Sequence, residues 1–129
     1  MKIRIDQGLL YTKATLIHSN KGIDLNNVVL DTGSAGTVFS IDRLASTGIL
    51  PGPDDPVCRI TGVGGSELVF TKVVDRLAVG SFGPDGFRIE IGAMDYGFDL
   101  DGIIGIGFLL KTKAIVDLDR LELRAKQPL

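Results

Sequence analysis

The chain has 129 residues, 44% of them hydrophobic, and a formal net charge of −2, so it is long enough for one compact core without metal or disulfide staples. Charges of both signs are scattered along it, which leaves neither a basic face for nucleic acid nor an acidic tail. Cys58 is the sole cysteine; it excludes an internal disulfide and fits a reducing compartment.

The N-terminal Met1-Lys2-Ile3-Arg4-Ile5 alternates charged and apolar residues, unlike the unbroken apolar stretch of a signal peptide. No apolar run approaches the ~20 residues that span a bilayer. A cytoplasmic chain with no membrane partner is the expectation, organised as one domain over residues 1–129. Seventeen glycines and short segments rich in Val, Ile and Leu point to an all-β chain with many tight turns.

In chain order, strands are predicted at Ile3–Ile5, Leu9–Ile17 and Val28–Leu30. A first helix is predicted over Ile41–Thr47, with Ser40 as N-cap, Asp42 in the first turn and Gly48 in the left-handed position beyond its end. The stretch from Pro51 to Pro56 reads as a loop, because its prolines fix φ and remove backbone donors. Further strands are predicted at Arg59–Thr61, Glu67–Val73, Leu77–Val79, Phe87–Ile91 and Ile103–Ile104. A second short helix around Phe108–Lys111 precedes strands at Ala114–Asp117 and Leu121–Arg124.

One acid stands apart. Val28-Val29-Leu30 reads as a buried strand that runs directly into Asp31-Thr32-Gly33-Ser34, where glycine permits a sharp turn. A carboxylate at the end of a core strand is costly unless hydrogen bonds or a shared proton compensate it, which makes Asp31 a functional candidate. Taken alone, the tripeptide is equally an ordinary Asx turn.

The segment Val28-Val29-Leu30-Asp31-Thr32-Gly33-Ser34 resembles the catalytic loop of the retropepsin-like aspartic proteases. Two later segments agree in order and spacing. Arg59 to Phe70, with Gly62-Val63-Gly64-Gly65 at its tip, is similar to that family's flap hairpin. Asp101 to Leu109 is similar to its second apolar strand, turn and short helix, although many relatives carry Asp or Asn where Gly107 stands. The resemblance implies a closed small barrel with one or two short helices, assembled as a homodimer. It assigns catalysis to Asp31, Thr32 and Gly33: Thr32 would tie the two loops together across the axis, and Gly33 would allow close backbone approach. It gives Ser34 a supporting hydrogen bond to the carboxylate, and Gly62, Val63, Gly64 and Gly65 a substrate-covering role suited to glycine's freedom.

Hydrolysing a peptide without a metal needs a base for water and an acid for the carbonyl, and two adjacent carboxylates sharing one proton supply both. Only one Asp-Thr-Gly triplet occurs. The second carboxylate must then come from another copy, with Asp31 facing its twin across a two-fold axis. Met1 to Ile5 and Leu121 to Leu123 are the segments expected at the dimer interface. The predicted function is an aspartic endopeptidase that needs no cofactor; the alternative is a dimeric module of the same fold that binds peptide without cutting it.

Other constellations are weaker. His18 and Cys58 lack the third group of a nucleophilic triad, and Cys58 reads as a small packing residue. Asp95, Asp99 and Asp101 match no calcium loop and have no histidine for zinc, so they read as solvated loop acids. Gly102, Gly105 and Gly107 lack the order and the lysine of a nucleotide-binding loop.

Overall fold

A computed structural model describes residues 1–62, 65–95 and 99–125, with backbone alone at Thr61, Gly62 and Gly65. The chain is mostly β-sheet with two short helices. Its elements are β1 (Arg4–Asp6), β2 (Leu9–His18), β3 (Lys21–Leu30), β4 (Val38–Ser40), α1 (Ile41–Ala45), β5 (Val57–Gly62) and β6 (Gly65–Ala78), followed by β7 (Asp85–Gly92), β8 (Gly102–Ile104), α2 (Ile106–Thr112), β9 (Ala114–Asp117) and β10 (Glu122–Ala125).

The main sheet runs β1-β2-β3-β8-β4-β7-β6-β5, and β2 also pairs with β6, so that the pairings return to β2. Most neighbours are antiparallel. The two parallel pairs, β3 with β8 and β4 with β7, lie where the chain crosses over, and they bring Leu30 beside Ile104. Alternating apolar residues from β2, β3, β6 and β7 fill the interior with Leu16, Leu25, Val28, Leu77, Ile89 and Ile91. Phe108 of α2 closes one end, its ring edge-on to Phe87 at 5.5 Å and 89°. A second, smaller cluster on the opposite face joins Tyr11, Val29, Val38, Met94 and Leu100, with Ile60 and Ile103 packed against it.

Three elements differ from the sequence-based expectation. Strand β3 begins at Lys21, well before Val28; its polar half is carried by pairing with β2 from Leu16↔Ile23 to His18↔Lys21. Strand β6 continues through Val74-Asp75-Arg76 as one strand, with Val74 in the core and Asp75 exposed. Strand β4 was not anticipated at all. The predicted N-cap holds, the Ser40 hydroxyl accepting from the Arg43 N–H at 3.4 Å; the C-terminal end does not, because regular helix stops at Ala45 with Ser46 as its C-cap, and Gly48, at φ +77°, ends the turn that follows.

The expected interface segments are partly internal. Ile3 donates to the Leu121 carbonyl at 2.8 Å, Leu123 donates to the Met1 carbonyl at 2.7 Å, and Lys2 bridges Glu122. Ile3 and Leu123 are buried in the chain's own core, so their apolar character is already explained within one copy. No helix among the described residues is long and apolar enough to cross a membrane.

Candidate active site

Strand β3 delivers Asp31 to the mouth of the sheet between two neighbours. The Asp31 N–H donates to the Ile104 carbonyl at 2.9 Å, extending the β3–β8 pairing by one rung. Its carboxylate Oδ1 accepts the Gly33 N–H at 2.9 Å, and the Ser34 N–H returns to the Asp31 carbonyl at 3.1 Å. This is an Asx-type turn built at the end of a buried strand. In the single chain Asp31 is half-buried, and Thr32 and Gly33 are exposed; the turn presents its acid outward.

The Ser34 hydroxyl donates to the Gly36 carbonyl at 2.8 Å. The sequence reading aimed it at the Asp31 carboxylate; here it instead tightens the return of the loop. Gly62 and Gly65 face each other at the last described rung of the β5–β6 hairpin, whereas Val63 and Gly64 lie outside the described residues.

The loop from Asp31 to Thr37 is braced from behind by the β8–α2 junction. The Ile106 N–H donates to the Ser34 carbonyl at 2.7 Å, and the Gly105 N–H donates to the Thr37 hydroxyl at 3.1 Å. A Cβ at Gly105 would overlap the carbonyl oxygens of Gly36 and Ser34, so the close approach itself requires glycine. Gly107 lies over the Ala35 carbonyl, where a Cβ would come to 3.3 Å. Of the glycines that superficially suggest a nucleotide loop, Gly105 and Gly107 are thus packing positions against the Asp31 loop, and Gly102 is one against the Phe39 ring of β4.

Asp101 corrects another expectation. It is buried, not a solvated loop acid. Its Oδ2 accepts the N–H groups of Asn26 and Asn27 at 3.2 and 3.1 Å beside the register shift between β2 and β3, and its Oδ1 meets Arg43 at 3.1 Å. Its backbone adds bonds to Asn27 and Ser40. Asp101 therefore ties β3, β4, α1 and β8 together at the end of the β3–β8 pairing away from Asp31. Asp95 and Asp99 are exposed as expected, and no group of histidine, cysteine and acidic residues among the described residues is placed to hold a metal.

Thr37 and Glu90 were also missed. The Glu90 N–H donates to the Thr37 carbonyl at 2.8 Å, and the Glu90 carboxylate lies against the Cα of Gly36, where a Cβ would overlap it. Burial pushes the Glu90 carboxyl above its ordinary value, and the negative charge of Glu67 pushes it further. Alternation along Phe87-Arg88-Ile89-Glu90-Ile91 places Glu90 opposite the main core, but nothing in that alternation shows which loop it faces. His18 ends β2 half-buried, with its Nδ1 3.6 Å from Asp75, and is not among the groups bracing the Asp31 loop.

No protein-family model matches the chain, and no curated protein sequence does. Solved structures do match. A retropepsin-like aspartic protease from Rickettsia conorii aligns over 95% of this chain and 95% of its own with a TM-score of 0.65 and 15% identity. The retroviral protease-like domain of Ddi1 from Leishmania major aligns over 92% of this chain and 87% of its own with a TM-score of 0.57 and 16% identity. At such identities the likeness is one of fold. The chain has the retropepsin-like fold, in agreement with the resemblance carried by its Asp31, flap and Asp101 segments.

Proposed function

We propose that the chain is an aspartic endopeptidase, one half of a homodimer whose closed barrels set Asp31 of each copy side by side. The observation that carries this reading is the acid at the end of a buried strand, turned outward by its own Asx turn and braced by Ile106, Gly105 and Thr37. A rigid, outward-facing carboxylate next to exposed Thr32 and Gly33 has little use within one copy. Beside its twin it forms a pair in which one member keeps a proton, because two like charges so close do not both ionise.

The ionised carboxylate takes a proton from water, the neutral one donates to the substrate carbonyl, and the water oxygen attacks the carbonyl carbon. Collapse of the tetrahedral intermediate returns the proton to the leaving amine. Thr32 and Gly33 position the loop, and Ser34 holds its return. The substrate lies extended between the β5–β6 hairpin and the Asp31 loop, pairing its backbone with strand edges.

Cleavage of a mixed peptide library by the wild type and by Asp31→Asn, at acidic and neutral pH, tests the proposal. Cutting abolished by the substitution is the result predicted. Peptide binding without cutting by the wild type would replace it with the non-catalytic module.

A further inference from the structure

The register of the main sheet lines up one row of residues: Val29 pairs with Ile103, Ile103 with Val38, Val38 with Glu90 and Glu90 with Thr71. Paired residues share a face of a sheet, and Val29, Val38 and Ile103 meet in the smaller apolar cluster. Glu90 is therefore on the face that carries this cluster, not the one that carries the main core. Asp31 follows Val29 by two positions, so the same alternation brings it to that side. Strands lie about 4.8 Å apart, which puts Glu90 roughly 14 Å from Val29 along the curved sheet. An extended peptide covers such a span in about four residues.

The Glu90 carboxylate sits against Gly36, in the same loop as Asp31. Among the described residues no cation and no hydrogen-bond donor pairs with it, and it is half-buried. A carboxylate held this way is destabilising within one chain unless something outside the chain compensates it. Val38 separates Glu90 from Ile103, which lies two strands or about 10 Å away, and the half-buried Ile60 and Ile103, both packed against the same apolar cluster, offer surface for an alkyl stem that reaches back toward Glu90. Lysine and arginine combine such a stem with a cationic head.

We propose that Glu90 is a specificity-determining residue, recognising the cationic head of a lysine or arginine in the bound peptide whose stem lies over Ile60 and Ile103. The inference rests on the reading of the Asp31 face as a peptide cleft. Glycine at position 36 lets the carboxylate lie close to the loop.

The test is a library of extended octapeptides in which each position in turn carries lysine, norleucine or glutamate. Cleavage is measured with wild type, E90Q and E90K, and binding with the same proteins carrying Asp31→Asn; thermal melting checks that each is folded. Lysine should exceed norleucine about tenfold at one position, as a charge-assisted contact allows, the preference should vanish in E90Q, and E90K should turn it toward glutamate. A lysine preference unchanged in E90Q, or none at any position in either readout, overturns the proposal. Lysine-selective binding by a wild type that cuts nothing would remove the proteolytic reading and leave the cation site standing.

Discussion

Asp101 and Glu90 are two acids whose partners set their contributions in opposite directions. The Asp101 carboxylate accepts two backbone amides and an Arg43 contact, bonds that cost more to lose than their number suggests, because removing the acceptor leaves two partly buried amides unsatisfied. Asp101→Ala should lower stability by about 3 kcal/mol, read by chemical denaturation. Glu90 works in the other direction. Desolvation first, and Glu67 second, raise its carboxyl above the ordinary 4.5, so the folded state holds the proton more tightly than the unfolded one. Stability from this group is complete below 4.5 and is lost as pH rises through the raised folded value. Glu90→Gln should therefore melt higher than wild type at neutral pH, and the advantage should disappear well below 4.5; an advantage that grows toward acid would contradict this.

At the scale of elements, the loop is only as rigid as the β8–α2 junction behind it. Gly105→Ala forces a methyl group onto the Gly36 and Ser34 carbonyls, and backbone cannot move aside as a flexible side chain can. This substitution should cost about 2–3 kcal/mol, typical of overpacking, and reduce peptide turnover more than Gly107→Ala, where the nearest contact is a looser 3.3 Å. Equal losses would place the rigidity elsewhere. Much of this geometry was legible in the sequence: Leu30-Asp31-Thr32-Gly33 placed the acid at a strand end, Ser40 marked the start of the first helix, and the alternation of Ala114 to Arg124 gave the last hairpin. Other parts were not. Val38-Phe39-Ser40 is too short to show a period, and it becomes a strand because Glu90 to Gly92 and Gly102 to Ile103 flank it. Lys21 to Asn27 includes residues of low β-propensity, Asp24, Asn26 and Asn27, and holds its conformation through β2 and Asp101. These are tertiary causes, written in residues far away in the chain.

At the scale of the molecule, the terminal segments brace one copy before they serve any interface. Ile3 and Leu123 are buried, so Leu123→Asp should unfold the chain, seen as lost circular-dichroism cooperativity, and not merely separate two folded halves. A folded monomer would show that the terminal pairing is dispensable. The proposed peptidase reading requires a dimer, because one chain carries one Asp-Thr-Gly triplet and that chemistry needs two carboxylates. The most direct measurement is subunit mixing: wild type and Asp31→Asn chains are exchanged in equal amounts at constant total concentration, and peptide hydrolysis is compared with that of unmixed wild type. Random pairing around a shared site predicts about one quarter of the activity, since only dimers of two wild-type chains are complete. Activity of about one half, the result for chains that each work alone, would contradict a shared dyad.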